Sequence, residues 1–265
     1  MREILDAEPK HVDAQRRLAI MHQQNAELHF AQAEWDAALR ELDETDRLYD
    51  QVLGADPGNT AVQFDMLVSL DHRWNIEQVR PNLAAAGTSL RKLISAFEKL
   101  DHDHRLEHAQ FRQMYAARAT TLAAWDLSDD ARIESGPNPV SDAVRKEWLR
   151  IRCLRSLEAR DWETLRHAIS AYRDFPTTTG TPNGQAEEGL ILAGLSIMLG
   201  TKGEFAPGKT MSTDPPEFTD ALDLIRRALA QDRSLASQLM THPWLLPLRT
   251  RSDFRAMFDR VVNQP

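Results

Sequence analysis

The chain has 265 residues, of which 42% are hydrophobic and 27% charged, with a formal net charge of −8. That length supports a substantial core, as one extended domain or two smaller ones. An acidic balance without a clustered basic face argues against nucleic-acid binding, and a single cysteine, Cys153, excludes an intrachain disulfide.

The first fifteen residues, MREILDAEPKHVDAQ, carry no apolar signal-peptide core. The longest apolar run, Gly189 to Gly200, is shorter than the roughly 20 residues of a membrane span. A cytoplasmic protein with no membrane partner is the expectation. Residues 1–8 read as a helix tail ending at Glu8-Pro9. From His11 to Phe30, apolar residues at Val12, Leu18, Met21 and Leu28 keep helical spacing. After a bend near Ala33-Glu34, the residues Trp35, Ala38, Leu39, Leu42, Tyr49, Val52 and Leu53 share one face of a second helix. Asp56-Pro57-Gly58-Asn59 is turn chemistry, since proline bars a continuing helix.

The pattern then restarts. Val62, Met66, Leu67, Leu70 and Trp74 form one stripe, and Leu90, Leu93, Ile94, Phe97 and Leu100 form the next. Glu8-Pro9 and Asp56-Pro57 stand 48 residues apart, and Phe64 and Phe111 stand 47 apart. Such a spacing implies stacked supersecondary units. A third copy begins near Asp103 and reaches Trp125. Residues 126–141 read as a linker, with Ser141 as the N-cap of a helix running to about Glu158. Arg160-Asp161-Trp162-Glu163 then echoes Ala33-Glu34-Trp35-Asp36. A loop over 174–185 precedes a buried helix over 186–199. A second loop over 201–216 precedes a helix opened by Asp214-Pro215-Pro216, and the tail is broken at Pro243 and Pro247. No stretch keeps a strand's period of two. The expected fold is all-α, built of stacked antiparallel helical hairpins. Hairpins occupy 1–125, a linker 126–142, and further hairpins with a short-helix cap 143–265.

At Ala26 to Leu39 the residues resemble a tetratricopeptide repeat. Ala26 and Ala33 stand at the two glycine-like positions, Ala38 at the small position of the second helix, and Trp35 at the aromatic position beside the bend. The Ala-Asp-Pro-Gly-Asn signature and the long spacing are similar to extended repeats attached to bacterial signalling ATPases, kinases and caspase-like proteases. The tail His242-Pro-Trp-Leu-Leu-Pro-Leu248 is similar to the ends of such arrays. In the second unit Trp74 takes the place of Ala26. The resemblance implies an α-solenoid whose inner face is lined by the first helix of each pair, with Gln23, Glu27, Asp71 and Asn75 as inner positions. These four do not reproduce the Lys/Asn/Arg carboxylate clamp of some family members. Trp244 is the expected exposed aromatic anchor.

Other motifs carry an alternative. Gly203-Glu-Phe-Ala-Pro-Gly208-Lys209-Thr210 matches the letters of a phosphate-binding loop, but the required strand before it and helix after it are missing from the pattern. His104 and His108, four apart beside Asp101 and Asp103, have metal-like spacing, though an N-cap with exposed histidines reads equally well. The acids Glu41, Asp43, Glu44 and Asp46 form either a solvated face or an acidic docking patch. Cys153, in an apolar run, reads as a packed core thiol. The expectation is a non-catalytic interaction, scaffold or adaptor module of a bacterial signalling or defence system. It would take a protein or peptide partner and no cofactor. A nucleotide- or metal-dependent enzyme is the alternative.

Overall fold

A computed structural model describes residues 11–80, 82–102, 109–127, 141–175, 181–202, 216–249 and 251–262. Every regular element among them is a helix. They are α1 (Val12–Ala31), α2 (Trp35–Ala55), α3 (Thr60–Val79), α4 (Leu83–His102), α5 (Ala109–Trp125), α6 (Asp142–Glu158), α7 (Trp162–Asp174), α8 (Pro182–Gly200), α9 (Pro216–Gln231), α10 (Leu235–Thr241), a 3-10 helix (Pro243–Leu248) and α11 (Ser252–Val262). The chain divides into two compact units, Met1–Leu122 and Ala123–Pro265. No described helix is long and apolar enough to cross a membrane.

Neighbouring helices pair as expected: α1 with α2, α3 with α4, α6 with α7, and α8 with α9. The bends have a common cause. Among the described residues, Ala33, Arg160 and Lys202 are the non-glycine residues with positive φ, at 60°, 55° and 52°, and each follows the first helix of a pair. A left-handed residue at this position lets the chain turn back and satisfy the last carbonyls of the helix. Glu34 N donates to His29 O at 2.9 Å and Ala33 N to Phe30 O at 3.0 Å, while Asp161 N donates to Ser156 O at 2.9 Å and Arg160 N to Leu157 O at 3.0 Å. Helix starts follow ordinary capping. Asn59 accepts from Val62 N at 3.2 Å, Ser141 from Val144 N at 3.3 Å and Asp161 from Thr164 N at 3.0 Å. Thr181 accepts from Gly184 N at 3.2 Å, with Pro182 in the first turn. The loop expected over 174–185 is therefore shorter than its Pro, Asn and Gly content implies. Proline fits the first helical turn, where its missing N–H is no loss. Likewise, Pro247 lies inside the 3-10 helix rather than breaking it.

In the first unit, Ala26, Ala38, Leu42 and Ile76 form one buried cluster. Ala19, Leu48, Tyr49, Val52 and Val62 form another. Leu67, Leu70, Leu93, Phe97 and Leu100 form a third, against which Phe64, Phe111, Met114 and Tyr115 pack. Phe64 and Phe111, one sequence period apart, stack with centroids 4.7 Å apart. The α1 stripe departs from expectation. Its buried side holds Ala14, Gln15, Ala19 and Ala26, while Met21 and Leu28 stay exposed. Alanines there let α1 approach α2 closely, with Val12, Leu18 and Phe30 packed at the edges of the clusters and Met21 and Leu28 on another face.

In the second unit, α8 is buried on several sides, and two glycines admit its neighbours. A Cβ on Gly189 would lie 2.9 Å from Ala221 O and from Ile225 Cγ1, and one on Gly194 would lie 2.5 Å from the Trp244 ring. Cys153 is fully buried, and burial pushes its thiol up to about 12, as a packed core thiol requires.

Gly194→Ala should cost about 1–3 kcal/mol, the usual penalty of overpacking. Ala33→Gly should stabilise by about 0.5–1 kcal/mol, because relief of the left-handed strain exceeds the added unfolded-state entropy. Shifts of the urea midpoint in opposite directions are the expected reading.

Candidate functional site

Helix α1 presents the clearest surface feature. Met21 and Leu28 are 48% and 62% exposed. Seven residues apart, they lie two turns along one face. Glu27 beside them is exposed, and its carboxylate lies 3.5 Å from His72 Nδ1 on α3. The other inner positions expected from the sequence are more deeply committed. Gln23 is partly buried and accepts from the Tyr49 hydroxyl at 3.4 Å. Asp71 is 9% exposed and accepts from Arg118 Nε at 2.6 Å and Nη2 at 3.2 Å. Its Oδ2 also accepts from Asn75 Nδ2 at 3.1 Å, while Asn75 Oδ1 accepts from Gln78 Nε2 at 3.0 Å. The Arg118 guanidinium lies 4.1 Å over the Trp74 ring.

Gln23 and Glu27 on α1, and Asp71 and Asn75 on α3, thus lie on helices that touch, linked through Glu27 and His72. Glu27 is the member of the four that is open to solvent. Asp71 and Asn75 belong to a hydrogen-bonded network that joins α3 to α5. Sequence reasoning missed Arg118, Met21 and Leu28. The apolar stripe of α1 contained the last two but assigned them to the core. Arg118 stands 47 residues after Asp71, the repeat spacing itself, which was the signal available for it.

The acidic stretch of α2 is largely absorbed by pairing. Glu41 meets His22 at 2.6 Å, Glu44 meets Arg47 at 2.9 Å, and Arg73 spans Asp43 at 2.8 Å and Asp46 at 3.0 Å. Ser69 also donates to Asp46 at 2.8 Å. Burial pushes Asp46 above the ordinary carboxylate range, against the pull of Arg73.

Trp244 corrects the sequence reading. It is 6% exposed, with its ring seated on Gly194 of α8. It is a core residue because only a residue without a side chain leaves room for the indole there. His242 caps the 3-10 helix, its Nδ1 accepting from Trp244 N at 3.3 Å. Burial, reinforced by Arg249, holds the imidazole down to about 4.

Among the described residues, no group of three or more His, Cys, Asp or Glu is placed to hold a metal ion. His104, His108 and Gly203–Thr210 lie outside the described residues. No protein-family model matches the chain, and comparison with curated proteins and with solved structures returned no significant match.

Removing one partner of a nearly buried ion pair leaves the other uncompensated. Asp71→Asn and Arg118→Ala should therefore each cost about 1–3 kcal/mol. The double variant should lose less than the sum of the two, as a denaturation cycle would show. For His242 the imidazole is harder to protonate when folded, so its contribution is complete above pH 6.5 and is lost as pH falls toward 4. That gap corresponds to about 3 kcal/mol. His242→Asn, which keeps a capping acceptor, should flatten the stability profile across that window.

Proposed function

We propose that the chain is a non-catalytic interaction module of tetratricopeptide-like stacked hairpins, which takes a protein or peptide partner on the α1 side. One observation carries this reading: Met21 and Leu28 are the large apolar side chains left exposed among the described residues, and they share one helix face. Apolar surface kept in water is costly, and its burial is the main driving term of protein association. Exposed Glu27 on the same helix supplies a charge that selects partners and orientation. The mechanism is binding by shape: a helix or extended segment of the partner covers Met21 and Leu28 and places a basic or donor group near Glu27. A regulatory or adaptor role in a bacterial signalling or defence system is the context that the resemblance implies.

The test is site-specific crosslinking in the native host. A photoreactive side chain at position 28 or 21 should capture a discrete partner, and one at exposed Glu44 on α2 should not. Leu28→Asp and Glu27→Lys should each cut the yield severalfold. Neither should move the melting temperature appreciably, since substitutions at exposed positions stay within about 0.5 kcal/mol. Equal capture at 28 and 44 would sink the placement of the surface.

A further inference from the structure

Met21 stands apart from the other methionines among the described residues. It is 48% exposed on α1, whereas Met198 and Met257 are 6% and 8% exposed. Met66 and Met114 pack against core clusters of the first unit, and Met240 is half-buried. The chain's single cysteine, Cys153, is fully buried. A thioether needs no deprotonation before it reacts with an oxidant, so access decides which methionine is converted to the sulfoxide. By that criterion Met21 is the sulfur-bearing side chain most open to attack among the described residues.

Its position gives the oxidation a consequence. Met21 and Leu28 are the large apolar side chains left exposed, and the exposed residues between them on the helix include Gln24 and Asn25. The face thus carries two apolar anchors with amides between them. The thioether sulfur attacks one oxygen of a hydroperoxide. A sulfur–oxygen bond forms and the oxygen–oxygen bond breaks. Sulfur loses two electrons, and the leaving oxygen gains them and takes up the proton, departing as water or an alcohol. The product is polar and a strong hydrogen-bond acceptor, which is unfavourable to bury against an apolar partner. One of the two anchors is lost, while the helix keeps its buried side of Ala14, Gln15, Ala19 and Ala26.

We infer that Met21 is an oxidation-sensitive modification site, and that its conversion to the sulfoxide by a hydroperoxide weakens partner docking on α1. Sulfoxide reductases return the thioether at the expense of a thiol, so the change is reversible. The effect on docking rests on α1 being the partner surface proposed above; the preferential oxidation of Met21 does not.

The full chain is exposed to a limited dose of hydrogen peroxide, which is then removed, and peptide mass spectrometry follows the added oxygen at each methionine. Met21 should be oxidised severalfold faster than Met198 and Met257, with the melting temperature unchanged. The same protein, carrying the photoreactive side chain at position 28, is then added to host lysate and irradiated. Peroxide treatment should cut capture of the discrete partner severalfold, and treatment with both methionine sulfoxide reductases and a dithiol should restore it. Met21→Leu, which has no thioether there, should capture the same amount before and after peroxide. Met21 reacting no faster than Met198 and Met257 overturns the inference. So does capture by the reduced protein that peroxide leaves unchanged, or an equal peroxide loss in Met21→Leu; these two outcomes leave the docking surface standing. Absence of capture by the untreated protein overturns the docking surface and the switch together.

Discussion

Helix α3 has to be buried on two sides at once, and the packing of the first unit depends on it. Val62 and Ile76 enter the clusters built by α1 and α2. Leu67 and Leu70 face the other way, into the cluster shared with α4 and closed by Phe111, Met114 and Tyr115 of α5. Neither hairpin of this unit finishes its own core. A pair of helices has more apolar surface than one mutual contact can cover, so each pair needs the next. The polar links obey the same rule. Arg16 bonds to Asp65 at 2.6 Å across α1 and α3, and Arg118 bonds to Asp71 across α5 and α3. Both links, like the Phe64–Phe111 stack, join residues about one sequence period apart. The period is therefore a contact distance as well as a repeat length.

The bends show how different letters give one backbone. Ala33, Arg160 and Lys202 share a left-handed conformation that none of them prefers. At Ala33 and Arg160 the following residue, Glu34 or Asp161, reaches back to a carbonyl of the preceding helix. The acid-Trp-acid echo made two of these bends readable in the sequence. The third, at Lys202 after α8, carries no such echo in the sequence.

How much was legible followed from how many partners an element has. Helix α2 has one broad stripe, and its residues Ala38, Leu42, Tyr49 and Val52 are all buried as the spacing implied. Helix α1 misled in part: its buried residues include three alanines, Val12 and Leu18 pack at the edge of the core, and Met21 and Leu28, read as core, are exposed. Small residues carry little hydrophobic signal, yet they set how closely two helices approach. Trp244 misled for a related reason. Its seat is Gly194, fifty residues earlier, and nothing in the local pattern of the tail reveals a missing Cβ on another helix. The site was legible to the same degree. Glu27, expected at an inner position, is exposed, but the role of Asp71 depended on Arg118, a partner that only the repeat spacing could have suggested.

Trp74 ties these threads together. At the corresponding place in the first hairpin, Ala26 is buried with Ala38, and the two helices meet through methyl groups. One period later the indole fills that place and is itself fully buried. Such a large residue needs a lid, and Arg118 provides it, its guanidinium lying on the ring while its Nε and Nη2 donate to Asp71. A guanidinium is planar and weakly hydrated, so it can stack and form a bidentate pair at once, which an ammonium cannot. The indole at this position and the buried carboxylate of Asp71 are therefore held by one arginine. Asp71, an inner position by the resemblance, is part of the joint between α3 and α5. In the first unit, Met21 and Leu28 of α1 are the large apolar side chains that remain exposed among the described residues, while Val12, Leu18 and Phe30 of the same helix pack against the core.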